Sequence, residues 1–327
     1  MSSSNFWKNR KVLVTGYEGF LGSHLTRRLL DLKARVIGLD ILTGRKKTIL
    51  NRQDYRRLKV IRGNVANLSL LRQILKRNRI EIIFHLAAEA LVGRCLQRPL
   101  RGFDSNIKGA WNVLESARLD PGVKAIVMAS SDKAYGSHKK LPYTETTALK
   151  GDHPYDVSKS CADLLAYTYY HTYNVPVAVT RCGNIYGPGD FNFSRIVPDA
   201  IQCALRGKTL LIRSDGTFTR DYVYVDDIVE GYIALARQMQ GKKLMGAAFN
   251  FSHGRPLSVV QIVQKIFQRT KRQPDYKILN QARDEIRHQY LSARKARHLL
   301  GWRPRWQLQR GLDQTIAWYR QYWNLGA

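Results

Sequence analysis

The sequence predicts an α/β fold built on a doubly wound parallel sheet, with a smaller C-terminal α/β lobe attached. Three observations predict it. Short apolar runs alternate with helical periodicity up to about Arg181, glycines cluster at the first strand-to-helix junction, and beyond Arg181 the segments become shorter and mixed.

Lys11-Val-Leu-Val-Thr15 has the apolar character of a buried parallel strand and stops at Gly16-Tyr-Glu-Gly19-Phe-Leu-Gly22. Leu21, Leu25, Leu29 and Leu32 then recur at helical spacing, and Arg35-Val-Ile-Gly-Leu39 supplies a second strand that ends on Asp40. The alternation continues through a strand at 59–62, a helix at 68–76, a strand at 82–86, a helix at 107–117 and a strand at 125–129. Repeated strand-helix-strand units pack as right-handed crossovers on a parallel sheet. Gly183, Gly187, Pro188 and Gly189 interrupt this periodicity. Val223-Tyr-Val225, with Asp226-Asp227 and a helical 228–236, reads as one more strand-helix step of the main sheet. The main domain is therefore expected over 8–181, rejoined by 222–253. The smaller lobe takes 182–221 and 254–327, including a helical 259–269, with a cleft between the two.

A chain of 327 residues with 44% hydrophobic and 24% charged side chains can bury a large core, which excludes global disorder. Met1 to Lys11 is polar, and no stretch of about 18 apolar residues follows, so no membrane span and a cytoplasmic location are expected. Cys95, Cys161, Cys182 and Cys203 form no C-x-x-C pair, so neither a disulfide framework nor a metal site is suggested. The charge is unusual: 54 Lys and Arg against 25 Asp and Glu give +29. Such a field attracts polyanions, including nucleic acid. The cations are nevertheless spread along the chain in clusters as short as Arg45-Lys46-Lys47 and Lys139-Lys140, which favours a solvated surface over a nucleic-acid site.

Gly16, Gly19 and Gly22 stand where strand turns into helix. Glycine there permits a tight turn, close approach of a pyrophosphate to the backbone and close packing of helix on strand. Asp40, closing the next strand, adds a carboxylate suited to a ribose 2′-hydroxyl and unsuited to a 2′-phosphate, so NAD is favoured over NADP. Tyr155 and Lys159 are four residues apart and share one face of a helix. A cation beside a phenol favours the phenolate, and a phenolate is a usable base. Ser130-Ser131 at the end of a strand completes a constellation for proton transfer at a hydroxyl.

The ordered set is long. It comprises the glycine turn, Asp40, His85-Leu86-Ala87-Ala88, Asn106, Ser130-Ser131-Asp132-Lys133-Ala-Tyr135-Gly136, Tyr155-x-x-x-Lys159, Asn184-Ile-Tyr-Gly-Pro-Gly189, Arg220-Asp-Tyr-Val-Tyr-Val-Asp226 and Leu300-Gly-Trp-Arg-Pro304. Over almost the whole chain it resembles the extended short-chain dehydrogenase/reductases, NAD-dependent epimerases and dehydratases that act on nucleotide sugars. The resemblance implies a Rossmann-type sheet and NAD held by Gly16, Gly19, Phe20, Leu21, Gly22, Asp40, Asn64, Val65, Leu86, Ala87, Ala88, Asn106, Tyr155 and Lys159. It implies that Ser131 bonds the reacting sugar oxygen, that Tyr155 is the base and that Lys159 is its electrostatic partner. Substrate contacts would come from Glu89, Ser131, Asn184, Arg195, Arg220 and Arg287, with the arginines suited to a diphosphate.

Ser131-Asp132-Lys133 resembles the active-site run of CDP-glucose 4,6-dehydratases, whereas simple 4-epimerases usually carry small or unreactive residues after the catalytic hydroxyl. This implies transient oxidation at C4, with Asp132 protonating the departing 6-hydroxyl and Lys133 assisting C5 deprotonation. A nucleotide-sugar 4-epimerase is the alternative, and an NAD-sensing or nucleic-acid-binding protein of the same fold is a more distant one. A homodimer through two helices of the main domain is also implied by the resemblance. His85, Trp302 and Trp306 are expected to pack or hydrogen-bond structurally.

Overall fold

The computed structural model describes residues 3–44, 47–239, 241, 244–282 and 285–325. Arg45 and Lys46, two of the basic residues after Asp40, lie outside the described residues. The strands are β1 (Lys11–Thr15), β2 (Arg35–Asp40), β3 (Lys59–Arg62), β4 (Ile82–His85), β5 (Ala125–Ala129), β6 (Val177–Cys182), β7 (Asn184–Tyr186), β8 (Leu210–Ile212), β9 (Thr219–Tyr224), β10 (Ala248–Phe251), β11 (Pro256–Ser258), β12 (Tyr276–Ile278) and β13 (His288–Gln289). The helices are α1 (Ser3–Trp7), α2 (Phe20–Asp31), α3 (Arg52–Arg56), α4 (Leu68–Asn78), α5 (Val92–Gln97), α6 (Pro99–Phe103), α7 (Gly109–Arg118), α8 (Pro154–Tyr173), α9 (Ile196–Arg206), α10 (Val225–Met239), α11 (Val259–Thr270), α12 (Arg294–Leu300) and α13 (Leu308–Tyr322).

Seven strands form a parallel sheet in the order β10-β6-β5-β4-β1-β2-β3. Its central members are buried on both faces, which is why β1, β4 and β5 read as continuous apolar runs rather than alternating ones. The strand order reverses beside β1, whose neighbours are β2 and β4, and a crevice opens at such a point beyond the carboxyl ends of the strands. Leu25, Leu29 and Leu30 of α2 pack with Ile228, Val229 and Tyr232 of α10 on one face, while α4, α7 and α8 cover the other. A third apolar cluster joins Ala200 and Ile201 of α9, Ile262 and Ile266 of α11, and Leu312 and Ile316 of α13.

The expectation that Val223–Val225 extend the main sheet is corrected. Tyr222–Tyr224 belong to β9, which pairs with β7, β11 and β13 in a separate four-stranded sheet. β10 occupies the main-sheet edge beside β6, and Gly183, whose added Cβ would stand 2.9 Å from the Asp221 carbonyl oxygen, lets the chain pass close to β9. The expected helix at 107–117 begins as a π-turn over Asp104–Lys108 before α7. His85, Trp302 and Trp306 take the structural roles expected of them: His85 bonds Thr15, the Trp302 indole donates to the Asp227 carbonyl at 2.8 Å, and Trp306 lies 4.3 Å from the Tyr224 ring. Among the described residues, no helix is long and apolar enough to cross a membrane.

One buried ion pair ties α8 to β6. The Arg181 guanidinium donates to both Asp163 oxygens at 2.7 and 2.8 Å and to the Tyr135 hydroxyl at 2.8 Å, with both charged side chains nearly inaccessible. Removing one member strands the other in a low-dielectric interior. Asp163→Ala is expected to cost about 3–5 kcal/mol, read as a lowered denaturant midpoint; an unchanged midpoint would show that Arg181 finds other partners.

Candidate active site

Gly16 ends β1 with φ +72, a conformation that L side chains rarely adopt, and a Cβ there would meet the Ala87 backbone at 2.9 Å. Gly22 is constrained by space: its Cβ would stand 2.0 Å from the Gly16 carbonyl oxygen, so only glycine lets α2 sit this close to the turn. Gly19 caps α2 without a side-chain hydrogen bond, which leaves first-turn amides directed at the turn, and Phe20 and Leu21 are part-exposed there. Asp40 is buried at the end of β2, and its Oδ1 accepts from the Leu42 amide at 3.3 Å. The turn fits a pyrophosphate, and the carboxylate fits a ribose diol.

Glu18, inside the glycine turn, is a residue that the sequence motifs do not single out. Its Oε1 accepts from the Tyr17 hydroxyl at 3.0 Å, from the Gly44 amide at 2.7 Å and from the Tyr55 hydroxyl. It thereby joins the turn to the loop after Asp40. Of the other expected cofactor residues, Leu86, Ala87 and Ala88 form a part-exposed strand end. The Leu86 and Ala87 amides both donate to Thr15 Oγ1 at 3.2 Å. Asn64 is exposed and bonds its own turn, whereas Val65 is core, with its carbonyl taken by the Asn112 side chain. His85 shares a 2.8 Å hydrogen bond with Thr15, and burial, with Lys159 adding to it, pushes the imidazole down to about 3, so it stays neutral.

Asn106 spends its amide on the scaffold. Its Oδ1 accepts from the Glu89 amide at 2.8 Å, and its Nδ2 donates to the Glu89 carbonyl at 3.2 Å and to Ser158 Oγ at 2.9 Å. Ser158 in turn donates to the Tyr155 carbonyl at 2.7 Å. On the other side of the same helical turn, Ser160 Oγ donates to the Ala134 carbonyl at 2.8 Å and the Asp156 carbonyl at 3.1 Å. The first turn of α8 is thus fastened to the β4 end and to the turn at 132–135.

That turn carries the expected catalytic groups. Ser131 Oγ donates to Asp132 Oδ1 at 2.9 Å and accepts from the Lys133 amide at 3.2 Å. Burial pushes the Asp132 carboxyl up to about 6, against the lowering influence of Lys133, Ser131 and Arg220. Lys159 donates to the Ala129 carbonyl at 2.9 Å, lies 5.9 Å from the Tyr155 ring centre and is pushed down by burial to about 8. Tyr155 is half-buried, and burial raises it well above the ordinary phenol value. The largest influence opposing that rise is Arg195, not Lys159; a hydrogen bond with Ser131 also lowers it, while Asp132 and Asp156 add to the rise. Helical spacing cannot show an arginine brought in by a distant loop.

The expected substrate residues divide. Asn184 lies part-buried on β7, paired with Tyr222 of β9. Arg195 bonds Asp190 at 3.1 Å. Arg220 is buried, donating to the Thr219 and Arg287 carbonyls at 2.9 and 3.1 Å and lying 3.4 Å from Glu285. Arg287 is exposed, with its guanidinium 6.0 Å from the Phe218 ring. Glu89 is largely buried beside Asn106, 4.0 Å from Arg94. Among the described residues, no group of three His, Cys, Asp or Glu side chains is placed to hold a metal ion.

The sequence profile of the NAD dependent epimerase/dehydratase family matches residues 12–250. CDP-glucose 4,6-dehydratase of Salmonella typhimurium is 29% identical, over 98% of this chain and 94% of its own length. UDP-glucuronate 4-epimerase of Thermodesulfobacterium geofontis is 31% identical, over 94% of this chain and 96% of its own length. The crystal structure of dTDP-glucose 4,6-dehydratase from Bacillus anthracis in complex with NAD superposes with a TM-score of 0.86 at 28% identity, covering 97% of this chain and 98% of that one.

Gly22→Ala places a methyl group on the Gly16 carbonyl and forces α2 away from the turn. A loss of about 1–3 kcal/mol in stability is expected, with weakened dinucleotide binding by calorimetry; binding and Tm equal to the parent protein would refute the packing constraint.

Proposed function

The chain belongs to the NAD dependent epimerase/dehydratase family, and from that premise we propose that this enzyme is a nucleotide-sugar 4,6-dehydratase, converting an NDP-hexose such as CDP-glucose to the 4-keto-6-deoxy sugar. One observation carries the choice of dehydration. Asp132, adjoining Ser131, is a buried carboxyl that holds its proton up to about 6 and so can act as an acid. Bound NAD supplies the hydride acceptor that no side chain provides and returns what it takes, so the reaction is redox-neutral overall.

Ser131 hydrogen-bonds the sugar 4-oxygen, and Tyr155 removes that hydroxyl's proton as C4 is oxidised. The resulting ketone acidifies the C5 proton. Lys133 assists its removal, Asp132 protonates the 6-hydroxyl, and water departs across C5 and C6. C5 is then reprotonated with solvent-exchanged hydrogen, and the proton that Tyr155 took is passed on to restore Asp132, so that the product keeps its 4-ketone and one water is lost overall. Lys159, buried on the Tyr155 face of α8, supplies positive charge and a ribose contact. Gly16, Gly19 and Gly22 receive the pyrophosphate, and Asp40 selects NAD by its ribose diol. Residues 182–221 and 254–327 act as the substrate lobe, with Asn184, Arg195, Arg220 and Arg287 toward the nucleotide diphosphate. The outward side chains of Trp111 on α7 and of Leu164 and Tyr167 on α8, 41, 55 and 57% exposed, support a homodimer packed through these helices.

The named relatives include a 4,6-dehydratase and a 4-epimerase at comparable identity. Both activities begin with the same oxidation, so the test must read the later steps. Purified enzyme given CDP-, dTDP-, UDP- and GDP-hexoses in heavy water is expected to place deuterium at C5. Epimerised sugar with unlabelled ring carbons would replace the dehydratase reading with the epimerase one.

Asp132→Asn is expected to slow dehydration by about 10²–10⁴-fold. In the parent enzyme the acid is available below its raised value and lost above it, so its contribution falls as pH rises past about 6. That fall should be missing from the variant's pH profile. Full dehydration by the variant would dismiss the assignment.

A further inference from the structure

Glu18 is the one acidic residue between Gly16 and Gly22, and it is 1% exposed. A buried negative charge is out of place in a turn that receives a pyrophosphate, unless it serves another part of the dinucleotide. Its hydrogen bonds show which way it is directed. Three donors from three separate places converge on Oε1: the Tyr17 hydroxyl at 3.0 Å, the Gly44 amide at 2.7 Å and the Tyr55 hydroxyl of α3. Two of those donors are rigidly mounted. Tyr17 is fully buried with its ring against Gly38 of β2, where an added Cβ would stand 2.5 Å from the ring. The helix that carries Tyr55 starts with a capping box between Asn51 and Asp54, and Asp54 also accepts from Arg27 of α2 at 3.1 Å. The third donor, Gly44, is the one that Glu18 itself fixes.

Residues 41–44 are exposed, so polar contacts rather than apolar packing set their course. Asp40 accepts the Leu42 amide at 3.3 Å, Glu18 accepts the Gly44 amide, and Arg62 donates to the Ile41 carbonyl at 3.4 Å. The loop therefore runs from one buried carboxylate to another, beside the ribose diol that Asp40 fits. In the sequence Gly44 is followed directly by Arg45, Lys46 and Lys47. Cations close behind a ribose-binding carboxylate are the groups that a 2′-phosphate would use. Asp40 is thus opposed by three positive charges nearby in sequence, and Glu18 is the second negative charge set against them.

We propose that Glu18 determines dinucleotide specificity: its charge at the far end of the loop, together with its hold on Gly44, denies the cations at 45–47 to a 2′-phosphate. The chain takes NAD and refuses NADP through two carboxylates, not one. This inference rests on the reading of Asp40 as the ligand of the adenosine ribose.

Calorimetry on the full-length protein freed of nucleotide reads this without turnover, with NAD, NADP, adenosine 5′-monophosphate and adenosine 2′,5′-bisphosphate as the ligands. Glu18→Gln keeps an oxygen for the Gly44 amide and removes the charge. It is expected to tighten NADP and the bisphosphate about tenfold relative to NAD and the monophosphate, and Glu18→Ala should shift the ratio at least as far. Adding Arg45→Gln, Lys46→Gln and Lys47→Gln to the Glu18→Gln protein should abolish the gain.

An unchanged NADP to NAD ratio in folded Glu18→Gln and Glu18→Ala proteins overturns the proposal. All four ligands weakened alike would make Glu18 a scaffold residue and overturn it too, as would a gain that survives loss of the three cations. Unaltered NAD affinity in Asp40→Asn would instead defeat the ribose reading of Asp40, and the ratio in the Glu18 variants would still decide the role of Glu18.

Discussion

The whole arrangement hangs on how the first turn of α8 is fastened. Ser158 and Ser160 are helix-interior hydroxyls, and each reaches outside the helix as well as into it. Ser158 meets Asn106, which also grips the backbone of Glu89 beyond β4; Ser160 meets Ala134, in the turn that follows β5. These are buried polar groups, and an unmade bond at any of them costs about 1–3 kcal/mol. The register of α8 against two strand ends is therefore specified more sharply than apolar packing alone would specify it. Tyr155 and Lys159 inherit their positions from that register, and so does their relation to Ser131.

Burial has opposite effects on the two kinds of group placed there. It lifts the carboxyl of Asp132 toward neutrality and the phenol of Tyr155 well above it, while lowering the ammonium of Lys159. An acid that keeps its proton and a base that resists losing one both need correction by nearby charge. The correction comes from Lys133 and Arg220 for the acid and from Arg195 for the base. Most of the described lysines and arginines behind the +29 net charge are on exposed surface, where solvent screens them, whereas the arginines at the site are held by Asp190 or by backbone carbonyls.

Much of this was legible in the sequence, and the reason differs from element to element. β1, α2 and β2 were readable because a strand buried on both faces is continuously apolar and a covering helix repeats every three to four residues. Gly22 was readable because no other residue fits against the Gly16 carbonyl. Tyr155 and Lys159 were readable as a helical pair. β9 was misassigned because local periodicity identifies a strand but not its partners, and the β7 and β11 neighbours that claim it are set by tertiary packing. Glu18, Ser158 and the influence of Arg195 on Tyr155 were not visible, since each depends on contacts made across long stretches of sequence. Val65, expected at the cofactor, is buried with its carbonyl bonded by the Asn112 side chain, a tertiary contact that the sequence pattern does not show.

The central claim is that oxidation at C4, driven by proton removal at Tyr155, leads to loss of water rather than to inversion. A nucleotide hexose carrying deuterium at C4 traces that course through the enzyme. The account predicts that the label leaves C4 and is recovered at C6 of the keto-deoxy product, with no transfer in Tyr155→Phe. Deuterium retained at C4 of an epimerised hexose, or transfer undiminished without the tyrosine hydroxyl, would contradict it.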